Sequence, residues 1–142
     1  MSAPEASTDR PNILLVDDEP ALLEAMRLNM EARFNVHTAR SVAEAERLLA
    51  QERCDVVVTD HLMPNELGLN FLVRIKDRYP SMRRILVTGD MNPDLQSRAE
   101  QLAGLSACLI KPIRYTDIER AIRQALETPE TERLPEAGEQ SA

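Results

Sequence analysis

The sequence predicts an α/β fold, a doubly wound five-stranded parallel sheet with five helices on its two faces. Three observations predict it. Short apolar runs alternate with stretches of helical periodicity, strand first, five times in succession. The first, third and fourth runs are hydrophobic from end to end, as strands covered on both sides are. Repeated βα units also close into a parallel sheet, because each crossover is right-handed and has to cover the sheet it leaves. Ligands of such folds bind beyond the carboxyl ends of the strands, so those ends are where chemistry is sought.

The elements follow in order. NILLV (12–16) is an apolar run bounded by acids, and Pro20 stands where a first helical turn tolerates it. Leu22, Leu23, Met26 and Met30 then recur at helical spacing. NVHT (35–38) is a weaker strand; Ser41 with Glu44 is a capping-box signature for a helix with Val42, Ala45, Leu48 and Leu49 inward. VVVT (56–59) precedes a loop and a helix whose Phe71, Leu72 and Ile75 face the core. RILVT (84–88) is the fourth strand, and Asn92-Pro93 reads as the cap and first turn of a helix carrying Leu95, Ala99 and Leu102. ACLI (107–110) is the fifth strand, ended by Lys111-Pro112. Thr116 with Glu119 reads as a second capping box, before a stripe of Ile118, Ile122 and Leu126.

Length and composition bound the function. A chain of 142 residues is expected to be one domain, with an ordinary 43% hydrophobic and 29% charged content. Its net charge of −7 is uneven: residues 1–11 sum to −1 and residues 128–142 to −3, leaving −3 for residues 12–127. Both ends are poor in packable residues, so 1–11 and 128–142 are expected to be disordered tails around a domain at 12–127. No basic stripe exists and aromatic content is 3%, which argues against nucleic-acid binding. No run is long and apolar enough for a bilayer, and the N-terminus has no secretory pattern, so a cytoplasmic location is expected. Cys54 and Cys108 match no ligand spacing and are expected as two buried thiols; His37 and His61 form no zinc pattern.

The strand ends collect a distinctive set: Asp17, Asp18 and Glu19 after the first, Asp60 after the third, Thr88-Gly89 after the fourth, Lys111-Pro112 after the fifth. Singly, each has a structural explanation. Aspartate caps helices, as Asp18 would before Glu19-Pro20, threonine suits strands, and lysine is usually a solvated charge. Together they are different. Three gathered aspartates repel one another unless a counter-charge is present, and a divalent cation with hard oxygen ligands, Mg²⁺ or in its place Mn²⁺, supplies one. Lys111 adds a second positive point, Thr88 a hydroxyl donor, and Gly89 would keep a side chain out of the approach. Such a site would hold a tetrahedral, doubly charged group, with Asp60 as the carboxylate able to attack it.

VDDE (16–19), DHLMPNELG (60–68), VTG (87–89) and IKP (110–112) resemble the receiver domain of two-component response regulators, over about residues 12 to 127. The resemblance implies the flavodoxin-like (βα)5 receiver fold, as in the chemotaxis regulators. It further implies that Asp60 accepts a phosphoryl group from a histidine kinase or histidine phosphotransfer protein. Asp17, Asp18, Asp60 and the backbone carbonyl of Leu62 would hold Mg²⁺. Lys111 would contact the phosphoryl group, its bond to Pro112 would be cis, and Thr88 would swing toward the phosphoryl oxygen.

Departures from the family pattern qualify these roles. Cys108 stands where the family has a tyrosine or phenylalanine, three residues before the lysine. Leu67 replaces a common aspartate, leaving Asn65 to cap the next helix, and Leu62 neither positions nor activates a water, so a long-lived phosphoprotein is expected. His61 is expected as a neutral surface histidine. The reading is a stand-alone signalling domain rather than an enzyme, acting through an unidentified downstream protein partner, through homodimerisation, or by relaying phosphate. Two rivals stand beside it. One is a phosphate-independent, degenerate receiver; the other is a Mg²⁺-dependent aspartyl phosphatase resembling haloacid dehalogenases, whose nucleophile and acid lie two residues apart after the first strand.

Overall fold

The computed structural model describes residues 10–89 and 92–128. The tails expected at 1–11 and 128–142 lie outside the described residues except for 10, 11 and 128. Five strands, β1 (Asn12–Val16), β2 (Asn35–Ala39), β3 (Val56–Asp60), β4 (Arg83–Thr88) and β5 (Ala107–Ile110), alternate with five helices. The helices are α1 (Pro20–Met30), α2 (Val42–Gln51), α3 (Gly68–Arg78), α4 (Pro93–Ala103) and α5 (Tyr115–Glu127). All strand pairs are parallel, in the order β2-β1-β3-β4-β5, so β1, β3 and β4 are central.

Side-chain alternation along the central strands builds two cores. Ile13, Leu15, Val56, Val58, Ile85 and Val87 face α1 and α5. Leu14, Val16, Val57 and Leu86 face α2, α3 and α4. Because both faces need apolar cover, these strands lack the polar alternation of a half-exposed sheet. Strand order also brings the carboxyl ends of β1, β3 and β4 side by side, with Val16 opposite Thr59 and Asp60 opposite Val87.

Helix entrances test the sequence reading. Ser41 Oγ accepts from the Glu44 N–H at 3.0 Å, and Asn92 Oδ1 accepts from the Asp94 N–H at 2.8 Å, as read. The second capping box is corrected. α5 begins two residues earlier, at Tyr115 with Arg114 at the cap, and it is Asp117 whose carboxylate accepts from the Arg114 N–H at 2.9 Å. Glu119 instead pairs with Arg33 and Arg123 and ties α5 to the end of α1. Two other caps are corrected as well. α1 is preceded by Glu19 with no side-chain cap, and Asp17, not Asp18, accepts from the Glu19 N–H at 2.9 Å. Asn65 does not cap α3: the helix starts at Gly68 after Leu67 with no side-chain cap, and Asn65 sits in the left-handed region (φ 75°) that turns the preceding loop.

Two adjacent arginines open β4 and cap helices on opposite faces. Arg83 donates to the carbonyls of Ala125 and Thr128 at the end of α5, at 3.1 and 2.8 Å. Arg84, buried at 3% exposure, donates to Ala103, Gly104 and Met82 carbonyls on the other face. Neither role was read from the sequence.

Candidate functional site

The site is assembled at one edge of the sheet. Asp60 is the last residue of β3, Thr88 the last of β4, Asp17 follows β1 directly and Lys111 follows β5. Backbone bonds continue the ladder past the strands and fix these positions: Asp17 N–H to Ala39 O (3.1 Å), His61 N–H to Val87 O (2.8 Å) and Lys111 N–H to Thr88 O (2.8 Å). Lys111 Nζ lies 2.7 Å from Asp60 Oδ1, and the Lys111–Pro112 bond is cis. Asp17, Asp60 and Thr88 are buried, whereas Asp18 is exposed.

Burial pushes the Asp17 carboxyl above its ordinary range, with Asp60 and Asp18 adding to the rise against the opposing Glu19 N–H and Lys111. Lys111 is pushed down by desolvation, yet its hydrogen bond to Asp60 and the charges of Asp60, Asp17 and Glu19 outweigh this and hold it above its ordinary value. The two acids and the lysine therefore form one coupled electrostatic unit. A carboxyl whose pKa rises on folding lowers stability while it is charged. That cost is absent below the ordinary carboxylate range and grows as pH rises through the folded value. In metal-free buffer Asp17→Asn is accordingly expected to raise the denaturation midpoint at pH 7, with the gain shrinking on acidification. An unchanged or lowered midpoint at pH 7 would contradict it.

Among the described residues, no three His, Cys, Asp or Glu side chains converge to hold an ion by themselves. The donor chemistry still fits a hard cation of the Mg²⁺ type, which binds through one or two carboxylates and keeps several waters. Asp17 and Asp60 are the buried pair at hand, and Asp18 lies beside them.

Gly68 sets the spacing between α3 and the site. A Cβ there would stand 2.2 Å from the Asp60 carbonyl oxygen and 3.0 Å from His61 Cα, both backbone. Gly89 differs: a Cβ would meet nothing described within 4 Å, so the clearance expected of it is not needed for packing. A cavity of about 830 Å³ adjoins Asp17, Asp60 and Lys111 and runs between α1 and α5 past Leu22, Met26 and Tyr115.

Other sequence readings are refined. His61 is buried, at 7% exposure, rather than a surface residue, because its backbone bridges β4 and the start of α3. The Leu62 side chain points to solvent, at 68% exposure. Cys54 and Cys108 are half-buried as residues rather than fully buried. Burial of the Cys54 sulfur, which donates to Val56 O at 3.2 Å, pushes its thiol up to about 12. Cys108 is also raised by burial and lies on the edge strand β5.

A family model described as the response regulator receiver domain matches residues 13–123, which carry every one of these site residues. The chain belongs to this family. As a receiver it is a signalling domain, of the two-component type, rather than a conventional enzyme. It is 30% identical over 121 residues to the hydrogenase transcriptional regulatory protein HoxA of Cupriavidus necator, covering 85% of this chain and 25% of that protein. It is 35% identical to the transcriptional regulatory protein GlrR of Escherichia coli K12, covering 82% of this chain and 26% of that protein. The receiver thus spans about a quarter of the length of these curated relatives. Among solved structures it resembles the signal receiver domain of an HD domain-containing protein from Pseudomonas fluorescens Pf-5, with a TM-score of 0.77 and 35% identity, covering 83% and 95% of the two chains. A receiver domain protein from Clostridium thermocellum gives a TM-score of 0.75 at 32% identity, covering 82% and 94%. No helix among the described residues is long and apolar enough to cross a membrane.

Proposed function

We propose that this receiver accepts a phosphoryl group on Asp60 in a Mg²⁺-dependent reaction and passes the signal on through protein–protein contacts. The donor is a histidine kinase or a histidine phosphotransfer protein, the partners with which the family works in general. What carries the reading is the 2.7 Å contact between Lys111 Nζ and Asp60 Oδ1 at a buried, acid-lined strand edge. An ammonium group held there neutralises Asp60 before reaction and pairs with a phosphoryl oxygen after it.

In the step itself an Asp60 carboxylate oxygen bonds to phosphorus while the phosphorus–nitrogen bond of the donor phosphohistidine breaks, its electron pair leaving with the imidazole. Asp17, Asp18, Asp60 and the Leu62 carbonyl would hold Mg²⁺, which would supply charge neutralisation at the phosphoryl group. Thr88, the last residue of β4, would swing to donate its hydroxyl to a phosphoryl oxygen. Because the Leu62 side chain has no polar group to position or activate a water, a long-lived acyl phosphate is expected.

The test is incubation with Mg²⁺ and a small acyl phosphate, followed by intact mass. One added phosphoryl group is expected, absent in Asp60→Asn and lost slowly on standing. No adduct, with partner binding unchanged, would favour the phosphate-independent reading that Cys108 suggests. Turnover of many equivalents of a phosphate ester would favour a phosphatase.

A further inference from the structure

Asp60 is followed by a loop, residues 61–67, that leads into α3 and that the reading above makes part of the reaction site. Its two ends are fixed by backbone bonds: His61 N–H to Val87 O, and Gly68 N–H to His61 O at 2.7 Å. Its middle is less well supported by packing. Met63 is buried, but Leu62 and Leu67 are 68% and 42% exposed, and Asn65 turns the chain in the left-handed region.

Near the end of the loop, a charged side chain ties it to the body of the domain. Glu66 accepts two hydrogen bonds from Arg74 on α3, at 2.5 and 2.9 Å, in a fork-to-fork arrangement. The remaining Arg74 nitrogen, Nε, donates to Glu46 of α2 at 2.8 Å. The three side chains are 27–41% exposed. Isolated surface pairs of this exposure contribute little, but a bidentate arginine shared by two carboxylates is the geometry in which they count. Because Glu46 fixes the guanidinium from the helix side, Arg74 is held in place when it receives Glu66.

We propose that Arg74, braced by Glu46, is a positioning residue that fixes the loop after Asp60 through Glu66. It thereby sets how well the Leu62 carbonyl is presented to the cation and how fast Asp60 gains and loses its phosphoryl group. The proposal rests on the phosphoacceptor reading. Arg74 touches neither cation nor phosphoryl group, and its influence is transmitted through the loop backbone.

The experiment uses the whole chain and three variants: Arg74→Met, Glu66→Gln, and the conservative Arg74→Lys. Amide hydrogen exchange at residues 62–66 is measured without metal, Mn²⁺ affinity by titration of the unphosphorylated protein, and phosphoryl lifetime by intact mass. Loop exchange and the Mn²⁺ dissociation constant are expected to rise about five-fold in Arg74→Met and Glu66→Gln, and Arg74→Lys, which keeps the charge but not the fork, is expected to fall between these and the wild type. The melting temperature is expected to move little. A fall in melting temperature with loop exchange and Mn²⁺ affinity unchanged would mean a merely structural ion pair and overturn the proposal. The phosphoacceptor reading fails differently: the wild type would then gain no phosphoryl group, whatever the loop does on mutation.

Discussion

Gly68→Ala is expected to destabilise the domain by about 3 kcal/mol and to impair phosphorylation of Asp60 beyond what the lost stability explains. The added Cβ would lie 2.2 Å from the Asp60 carbonyl oxygen, 3.0 Å from its carbonyl carbon and 3.0 Å from His61 Cα. All three are backbone atoms, so no rotamer change relieves the clash. Gly68 is the first residue of α3, and its N–H is bonded to His61 O at 2.7 Å. Relief therefore requires α3 to retreat from β3 or Asp60 to move. Alanine gains about 1 kcal/mol of helix propensity over glycine, which does not offset overpacking of this severity. Gly89→Ala is the control for stability, because its Cβ meets nothing described within 4 Å. Urea denaturation checks the first effect, and phosphorylation rate under fully folded conditions checks the second. A Gly68→Ala protein as stable as Gly89→Ala and as readily phosphorylated as the wild type would refute the close-approach argument.

Arg84→Met is expected to cost about 3 kcal/mol, without direct contact with the site. Arg84 is 3% exposed, and its guanidinium donates to Met82 O at 2.6 Å, Ala103 O at 2.7 Å and Gly104 O at 3.3 Å. Ala103 ends α4 and Gly104 is its left-handed cap, so the arginine satisfies carbonyls that the helix leaves orphaned and sets a positive charge at the negative end of its dipole. Methionine keeps much of the apolar stem but leaves those carbonyls buried without that donor. Amide exchange at the end of α4 should accelerate more than at the end of α1. Arg83→Met should cost less, because Arg83 is only half-buried while capping α5. A denaturation midpoint for Arg84→Met indistinguishable from that of Arg83→Met would remove the basis for separating them.

Much of the site was legible because its residues stand at fixed offsets from hydrophobic runs. Asp60 ends VVVTD, Thr88 ends RRILVT and Lys111 follows ACLI, so finding the strands located the carboxylate, hydroxyl and ammonium together. The capping of α2 by Ser41 and of α4 by Asn92 was legible for a similar reason, since a cap bonds within a few residues. The α5 box failed on the same local scale. Thr116–Glu119 and Arg114–Asp117 offer overlapping spacings, and Glu119 is drawn away by Arg33, 86 residues distant in sequence. His61 was misplaced because its burial comes from the bridge its backbone makes between β4 and α3, which its neighbours in sequence do not reveal.

Element order, the parallel sheet and the strand ends at which the charged residues meet follow from hydrophobic periodicity and short-range capping, both legible in the chain alone. Which contacts those residues make is set by the folded arrangement. It placed Lys111 on Asp60, drew Asp17 into a buried and repelled position, set Gly68 against the Asp60 carbonyl and sent Arg83 and Arg84 to helices on opposite faces. Each of these is a contact or charge interaction that chain crossovers bring together, and its strength depends on distance and desolvation. Residue type and spacing carry neither quantity.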